Sequence, residues 1–580
     1  MLSLYGLHAA FVQNNRHLSL LIGAADLMKK SFMEFDRAQR QAKQKNGIFL
    51  VIDGLRYDVL SELEHTRKVT PNLAYVAEKG DVTWAVANAQ ATQFVLPALF
   101  SLTYPLDHGG YNNGIRHRPR SYAEQLSDAG YSTQMMASCN VLGITHGYDR
   151  GFSDMHTAMD SRVILAHLIG RNLQYELKRW ESGDLSKREI VSLLKNEFVF
   201  LLRRVASISE DGPGITWSSR LRKINEKVAA GCRAEINLFE HSTDTVIEKM
   251  MTIPPVLYWR YLGLKKPGFG YWFWRVLEAV RWRSEKFFAK YNFPLLFLAQ
   301  FETKADEVMG ALSDFVTRND GPWSVHLHLM DLHDCRSLSR PSHIFKRLIM
   351  WPKWVWLRLK GKTKRRASYD TALMLIDREI GKVISALRSV GRFDDTVIVI
   401  TGDHGNFYAG SPRKRGNVAL RTHCEDIDIP LIISGCDSIP KNIGLIDSMG
   451  ITATYLDALG IAAHKSFRGV SAFDGGCEAV ITESAGSGNA DLENRDLYFT
   501  VTTQLYRMML VLIGSQLKIL GLFDKRSDPD ELLDLSKDPK HADVIIQLRS
   551  YLEKERADIL AMRGYSQPEQ IYSNTCASAR

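Results

Sequence analysis

Two apolar runs, far apart in this chain, each lead into an aspartate. The first is IFLVID, from Ile48 to Asp53, and the second is TVIVIT, from Thr396 to Thr401, which is followed by Gly402, Asp403, His404 and Gly405. Continuous β-branched runs of this kind are typical of buried parallel strands. Because ligands gather where the C-terminal ends of such strands meet, we predict that both acids lie at one edge of a common sheet.

The segments around these strands predict the rest of the fold. The clearest helical pattern is SYDTALMLIDREIGKVISALRSVG, in which apolar residues recur at helical spacing until Gly391. Strands that alternate with helices indicate an α/β protein with a doubly wound, mostly parallel sheet. Near the C-terminus, LYFTVTTQLYRMMLVLIGSQLKILGLF predicts two or three antiparallel strands, followed by a helix from about Asp543 to Met562. We therefore expect a small antiparallel subdomain there.

We expect the 580 residues to divide into four parts. They are a helical N-terminal extension at 1–45, a catalytic domain at 46–155 and 305–475, a helical basic and aromatic insertion at 156–304, and a C-terminal subdomain at 476–580. Trp, Tyr, Lys and Arg are dense in VLYWRYLGLKKPGFGYWFWRVLEAVRWRSEKFF and in FKRLIMWPKWVWLRLKGKTKRR. This composition suits a membrane interface or an anionic polymer, and the alternative is a helical cap whose aromatic residues form its own core.

Charge and hydropathy limit the classes of partner and location. The chain has 74 Lys and Arg against 65 Asp and Glu, a formal net charge of +9, which favours anionic partners. It contains no helix-turn-helix, zinc-finger or RNP-like motif, so we expect no nucleic acid among them.

The N-terminus has no basic region ahead of its apolar part, and the uncharged stretch Val82–Leu106 contains polar residues and two prolines. We therefore predict a cytoplasmic protein, peripheral to a membrane at most, in which Val82–Leu106 is a buried segment with a functional turn.

Asp53, Asp403 and His404 are together suited to hold a divalent cation. Two hard carboxylates and one imidazole nitrogen are suitable ligands for zinc, manganese or a similar ion. An aspartate at a strand end can also cap a helix, and Asp-His-Gly alone occurs by chance, so the prediction depends on the joint occurrence of the three residues.

A series of motifs follows in order along the chain. They are IFLVIDGLRYDVL, TPNLAYVAEKG, LPALFSLTYPLDHGG, SYAEQLSDAGYST, YDRGFSDM, WSVHLHLMDLHDC, YDTALMLIDREIGKVISAL, DDTVIVITGDHG, DIPLIISG, GLIDSMGITATYLDALG, FRGVSAF and DELLDLSKDP. The series resembles the sulfatase family of the alkaline phosphatase superfamily and covers residues 46–155 and 305–540. The resemblance implies an alkaline-phosphatase-like fold and a hydrolase or transferase of phosphate or sulfate esters that uses a divalent metal, namely Zn, Mn, Mg or Ca.

The resemblance also implies roles for particular residues. By position, Asp53, Asp403 and His404 correspond to the family's metal ligands. His333, in MDLHD, matches a family histidine that contacts the ester or the leaving group. Gly54 follows Asp53 where the family often has a second acid, which predicts fewer ligands and a single metal.

Further positions of the resemblance concern substrate binding. His423, in RTHCEDIDIPLI, lies where related enzymes place a basic or metal-binding residue, and Lys414 and Arg415 are nearby alternatives. Arg56, in GLRYD, fits the family pattern as a substrate-binding residue. The alternative for Arg56 is an ion pair with Asp58 or another acid of the fold.

The nucleophile departs from the sulfatase pattern. The chain contains no C-x-P-S-R or S-x-P-S-R, and aligning Pro97 with the proline of that motif places Val95 at the nucleophile, which argues against a formylglycine sulfatase. In another register, TQFVLPALFS resembles the phosphoethanolamine transferases of the same superfamily, with Thr92 as nucleophile and metal ligand. Pro97 favours a helix that begins near residue 95 or 96, which places Thr92 a turn before it. The alternative is that Thr92 is a loop hydroxyl in a degenerate site.

These observations predict a metal-dependent hydrolase or phosphoryl-group transferase. We expect it to act on phosphate esters, in preference to sulfate esters, of an anionic glycan or a lipid-linked substrate. Thr92 would attack the ester to form a phosphothreonine, and His333 or His423 would handle the proton of the leaving group. The alternative is a catalytically degenerate protein of the same fold that binds an anionic glycan or a membrane surface.

Overall fold

The computed structural model describes most of the chain. The described ranges are 44–60, 67–138, 146–157, 174–200, 219–252, 305–333, 342–407, 421–486 and 490–565, with isolated positions at 202, 203, 206 and 411 and between 269 and 283. The predicted N-terminal extension lies almost entirely outside these residues, as does most of the aromatic segment at 256–288.

Eight strands form the central sheet. They are β1 (Asn46–Ile52), β2 (Gly80–Val86), β3 (Ser132–Ala137), β4 (Asp154–Thr157), β5 (Trp323–Leu329), β6 (Thr396–Thr401), β7 (Asp428–Ser434) and β8 (Ile446–Asp447). Their order across the sheet is β4-β3-β5-β1-β6-β7-β2-β8. Within these eight strands, β7 is antiparallel to both of its neighbours, and the other pairs are parallel. The prediction of a mostly parallel sheet is therefore confirmed.

Helices cover both faces of this sheet and extend beyond it. The described α-helices are α1 (Pro71–Glu78), α2 (Thr92–Ser101), α3 (Tyr122–Asp128), α4 (Gln174–Glu181), α5 (Lys187–Leu193), α6 (Ser219–His241), α7 (Thr243–Thr252), α8 (Ala305–Arg318), α9 (Ser342–Leu359), α10 (Lys364–Ser389), α11 (Cys424–Ile427), α12 (Ser448–Ala458), α13 (Ala542–Glu555) and α14 (Ala557–Met562). Helix α10 contains the predicted pattern that ends near Gly391.

Strand β1 lies between β5 and β6 because its residues are apolar on both faces. Phe49 and Val51 pack in the core cluster that contains residues of α2 and α12. Ile48, Leu50 and Ile52 pack in the cluster on the opposite face, with residues of α8 and α10. Because successive strand residues point to opposite faces, a continuous apolar run is what a strand covered on both sides requires. The sheet is thus doubly wound, as predicted.

Residues 85–106 are buried except for the partly exposed Ala91, so most of the predicted buried segment is confirmed, whereas Val82 at its start is exposed. The turn in this segment leads into α2. The helix begins at Thr92, so the expectation of a start near residue 95 or 96 was wrong. Pro97 lies inside α2, where it lacks the N–H that would donate to the carbonyl of Gln93. All ten residues of α2 are buried, and this packing outweighs the local cost of the proline. Thr92 therefore lies at the N-terminus of a helix.

A second sheet is antiparallel and contains four strands. They are β9 (Val480–Ser484), β10 (Leu497–Thr502), β11 (Tyr506–Ile513) and β12 (Gln516–Asp524), in the order β12-β11-β10-β9. Its residues pack in the same core cluster as α2 and α12. The antiparallel C-terminal subdomain is confirmed with four strands, and the helix predicted from Asp543 to Met562 is interrupted at Arg556.

The described part of the predicted insertion is helical. Helices α4 to α7 enclose a core of their own, which includes Ile190, Phe198 and Met250. The boundaries of the four predicted domains stay predictions. No helix in the described part of the chain is long and apolar enough to cross a bilayer.

Arg556 connects the C-terminal helices to the second sheet and to the loop after α2. Its side chain is fully buried, and its Nε donates to Glu483 Oε2 of β9 at 2.8 Å. Its Nη1 lies 2.9 Å from Asp107 Oδ1, in the loop after α2. Arg556 thus forms ion pairs with two buried carboxylates.

Replacing Arg556 with Met is expected to lower the free energy of unfolding by about 3–5 kcal/mol, because the buried Glu483 would lose its ion-pair partner and Asp107 would keep only the more distant Arg468, at 3.8 Å. Urea titration followed by circular dichroism measures the change. The control is Arg526→Met, at an exposed position, which should change stability by less than about 0.5 kcal/mol. Equal stability of the Arg556 variant and the wild type would contradict this account.

Candidate active site

Asp53, Asp403 and His404 meet at the C-terminal edge of β1 and β6. The two strands pair in parallel, with Val51 opposite Thr401, so the residues that follow them lie side by side. Among the described residues, these three side chains form a group whose potential ligand atoms all lie within 4.8 Å of one another. The structure therefore places the predicted residues together, and their role as metal ligands stays a prediction.

Thr92 lies at the centre of this group. Its hydroxyl donates to Asp53 Oδ2 at 2.6 Å, and its Oγ1 is 3.2 Å from His404 Nε2. Since α2 begins at Thr92, the positive end of the helix dipole is next to the hydroxyl. This position favours negative charge on Oγ1 or on an ester oxygen beside it.

The tautomer of His404 is determined by the backbone. Its Nδ1 lies 2.6 Å from the carbonyl oxygen of Gly405, which can only accept, so Nδ1 carries the proton. The lone pair of Nε2 is then directed towards Thr92 and the carboxylates. A hydrogen bond from the second ring nitrogen to a carbonyl is the usual arrangement for a metal-binding histidine.

Two carboxylate oxygens at this site fit a cation. Asp53 Oδ1 and Asp403 Oδ2 are buried and have no hydrogen-bond partner in the described part of the chain. They lie 4.0 Å and 3.6 Å from His404 Nε2. Buried charges are costly unless they are paired or bind a metal. The side chains present are therefore suited to a divalent ion.

Electrostatics supports the same conclusion. Burial, and then the nearby carboxylate of Asp53, raise the pKa of Asp403. Burial by itself would lower the pKa of His404, but the carboxylates of Asp403 and Asp53 raise it overall. The shift of Asp403 thus reflects burial and negative charge, and that of His404, whose side chain is 15% exposed, reflects the negative charge of the two carboxylates. A cation bound there would relieve the repulsion between the carboxylates.

The backbone conformation at position 54 explains why glycine, and not a second acid, follows Asp53. Its φ is +72°, a region that favours glycine, and an added Cβ would lie 3.0 Å from the side chain of Asn406. Its N–H donates to Asp403 Oδ1 at 3.0 Å. The backbone at this position therefore orients one of the predicted ligands.

The other predicted residues are placed less centrally. His333 is exposed in the turn after β5, and its role at the leaving group stays a prediction. Lys414 and Arg415 lie outside the described residues.

Arg56 donates from Nε and Nη2 to Asp58, at 3.0 Å in each case, so the ion pair considered as its alternative is present. Substrate binding by Arg56 stays a prediction.

His423 precedes the short helix α11 and is held by the C-terminal subdomain. Its Nδ1 is 3.0 Å from Glu531 Oε2, which can only accept, so Nδ1 carries the proton and Nε2 keeps its lone pair. Glu531 is buried, has a φ of +54°, and also accepts from Arg507 Nη1 at 2.5 Å. The turn containing His423 contacts the active site through Asp426, whose carbonyl accepts from the N–H of Gly405 at 2.6 Å.

Sequence reasoning missed two residues beside the site. His328 is buried on β5, with Nε2 3.8 Å from Asp403 Oδ2, and burial lowers its pKa to about 4, which leaves it neutral near pH 7. The alternation in WSVHLHL would have indicated that His326 and His328 share one face of a strand that ends at the same edge. Glu531 had no such signal, because its contact with His423 depends on the packing of the second sheet.

A family model and a curated relative identify what this chain is similar to. The sulfatase family model matches residues 45–163 and 258–461, more than half of the chain. The multifunctional alkaline phosphatase superfamily protein PehA of Trinickia caryophylli is 25% identical over 206 residues. That match covers 33% of this chain and 39% of the relative, so it spans about two fifths of the relative's length.

Solved structures share the fold over nearly their whole length. A 2-O GAG sulfatase aligns with a TM-score of 0.52 and 14% identity, over 89% of this chain and 93% of that chain. The phosphonate monoester hydrolase of Agrobacterium radiobacter aligns with a TM-score of 0.50 and 16% identity, over 89% and 96%. At these identities the likeness establishes the fold, which confirms the predicted alkaline-phosphatase-like architecture.

Replacing Asp403 with Asn is expected to remove a bound divalent ion, because it neutralises one of the two carboxylates and leaves their geometry unchanged. Elemental analysis by plasma mass spectrometry, after dialysis against Zn, Mn, Mg or Ca, measures the content, with about one ion per chain expected for the wild type. Asp320→Asn, at a fully exposed side chain, serves as the control. Unchanged metal content in the Asp403 variant would contradict the assignment.

Proposed function

Because the chain belongs to the sulfatase family, we propose that it is a metal-dependent hydrolase, or phosphoryl-group transferase, that acts on phosphate esters in preference to sulfate esters. The observation that carries this proposal is the position of Thr92 Oγ1, 2.6 Å from Asp53 Oδ2 and 3.2 Å from His404 Nε2. A hydroxyl at a helix N-terminus, between a carboxylate and an imidazole, is suited to attack an ester. The absence of a formylglycine motif from the sequence favours phosphate esters over sulfate esters as substrates.

The substrate that we propose is a phosphate ester of an anionic glycan or of a lipid-linked molecule. Similarity supports this class, since a solved structure of the same fold is a 2-O GAG sulfatase. The net charge of +9 also favours an anionic substrate.

Asp53, Asp403 and His404 would hold the metal, with the hydroxyl of Thr92 beside them. When bound, a divalent cation neutralises the non-bridging oxygens of the ester and lowers the pKa of a neighbouring hydroxyl. Gly54 and Gly405 support this set, since the Gly54 N–H orients Asp403 and the Gly405 carbonyl orients His404.

The proposed reaction uses the hydrogen bonds already present. Thr92 Oγ1 forms the new bond to phosphorus, and its proton passes to Asp53 Oδ2, which already accepts that hydrogen bond. The bond between phosphorus and the leaving oxygen breaks, and the leaving oxygen takes a proton from the imidazolium form of His333 or His423, in which Nε2 of His423 is protonated as well as Nδ1. Water or an acceptor hydroxyl then attacks phosphorus and gives its proton to that histidine. The bond between phosphorus and Thr92 Oγ1 breaks, and Oγ1 takes its proton back from Asp53. The identity of that acceptor distinguishes the hydrolase from the transferase.

Thr92→Ala is expected to reduce kcat on p-nitrophenyl phosphate on the order of 10³-fold, because it removes the attacking oxygen. Thr92→Ser should keep a substantial part of the activity, since it keeps a hydroxyl at the same position. Wild-type protein is assayed in parallel on phosphomonoester, phosphodiester and sulfate ester substrates with Zn, Mn, Mg and Ca. Full activity of Thr92→Ala would exclude Thr92 as the nucleophile, and an inert wild type with every metal would exclude the enzyme.

Glu531→Gln is expected to lower kcat about tenfold or more with little change in KM, because the amide no longer fixes the ring of His423 as a carboxylate does. The same substitution is made in a His423→Ala background, where it should have almost no further effect on kcat. Steady-state kinetics of the four proteins gives the coupling. Equal losses in both backgrounds would indicate a purely structural role, and thermal unfolding of each variant separates that role from instability.

A further inference from the structure

Helix α9 presents apolar residues to solvent along one face. Ile349, Trp356 and Leu359 are 67%, 46% and 81% exposed, and they recur at i, i+7 and i+10, a spacing that places them on one side of a helix. Trp351 and Val355, at 42% and 38%, extend the same face. Isolated apolar residues at a surface are ordinary, but a continuous face that includes two tryptophans marks an interaction site.

The opposite side of α9 packs on the protein. Leu357 is 1% exposed, and Trp354 donates from Nε1 to Ser368 Oγ of α10 at 3.2 Å. The helix is therefore held by its inner side, and its apolar outer face is available to a partner. This arrangement reverses the usual pattern of a surface helix, whose outer face is polar.

Positive charge borders this apolar face. Residues 342–369 contain nine lysines and arginines and no aspartate or glutamate. Lys353, Arg358 and Lys360 are exposed on α9 or directly after it. Long cationic side chains at the margin of an apolar face can reach towards phosphates while their stems lie among acyl chains. An anionic bilayer is complementary to both features.

A cationic cleft adjoins the same margin. Its volume is about 720 Å³, and Met350 and Lys353 of α9 contribute to its lining. Lys68, Arg378 and Lys382 line it as well. The one acid in the lining, Asp377, accepts hydrogen bonds from the backbone N–H groups of residues 72 and 73 at the start of α1. The cleft therefore presents mainly positive charge at the depth where lipid headgroups would lie.

A second exposed apolar stripe occurs in the aromatic segment that the sequence analysis singled out. The described residues there are helical and exposed at i, i+3, i+4, i+7, i+8 and i+11, namely Phe269 (86%), Trp272 (59%), Phe273 (50%), Val276 (61%), Leu277 (43%) and Val280 (58%). The spacing is that of an amphipathic helix lying in an interface plane.

We propose that the outer face of α9, with the cationic cleft beside it, is a docking surface for the anionic headgroups and upper acyl chains of a lipid bilayer. Docking of this kind places the protein on the membrane without crossing it. The proposal concerns where the protein acts and does not depend on the chemistry of the ester.

Binding to vesicles tests the proposal on the full chain. Large unilamellar vesicles made of equal parts phosphatidylcholine and phosphatidylglycerol are sedimented with protein at about 20 mM salt, where surface electrostatics is weakly screened, and again at about 500 mM. We expect strong binding at low salt, weaker binding at high salt, and little binding to vesicles of phosphatidylcholine alone. Absence of binding to the anionic vesicles, or equal binding to both compositions, would overturn the proposal.

Two double variants test the apolar face and the cleft separately. Trp356→Ser with Leu359→Ser, and Lys353→Glu with Arg378→Glu, should each lower the partition coefficient at least about tenfold. The matched controls are Leu532→Ser with Leu533→Ser, at 62% and 61% exposure, and Lys441→Glu with Lys518→Glu, at exposed positions. Control variants should bind as the wild type does. Wild-type binding by either test variant would overturn the assignment to α9.

Hydrolysis of a soluble ester is measured on the same proteins. Docking variants that lose vesicle binding should keep this activity, because none of the substituted residues lies in the active site. Vesicle binding by the inactive Thr92→Ala protein would support the docking surface even if the proposed catalysis fails. Loss of esterase activity in both docking variants, with unchanged vesicle binding, would overturn the separation of the two surfaces.

Discussion

The parallel pairing of β1 with β6 is the constraint on which the rest of this molecule depends. It brings two carboxylates into a space closed to water, where each has an oxygen without a hydrogen-bond partner among the described residues. Mutual repulsion of these charges opposes folding unless the surroundings compensate for it. The compensation comes from backbone groups, from His404 and from the start of α2.

Backbone groups hold the charged side chains in this space. The N–H groups of Gly54 and His404 both donate to Asp403 Oδ1, at 3.0 Å and 2.8 Å. A positive φ at Gly54 makes the first of these contacts possible. Backbone N–H groups hold a carboxylate more rigidly than side-chain donors do, because a backbone donor has no rotamer that must be fixed.

The sequence predicted the elements whose signal is local. A continuous apolar run determined β1 and β6, and the residues directly after them were placed correctly at one edge. The start of α2 was predicted wrongly, because Pro97 was weighed as a first-turn residue and the complete burial of the helix was not visible. The pairing of His423 with Glu531 joins positions 108 residues apart, and no periodicity or motif encodes such a contact. Contacts that arise only from tertiary packing, such as this one, therefore could not be predicted from the sequence.

Glu531 reaches His423 from the connection that follows the second sheet, so the position of this histidine depends on the smaller sheet. Any structure that replaced this sheet would have to place an acid at the same point beside His423. Cleavage within that sheet would disturb both the support of His423 and the core that the sheet shares with α2 and α12.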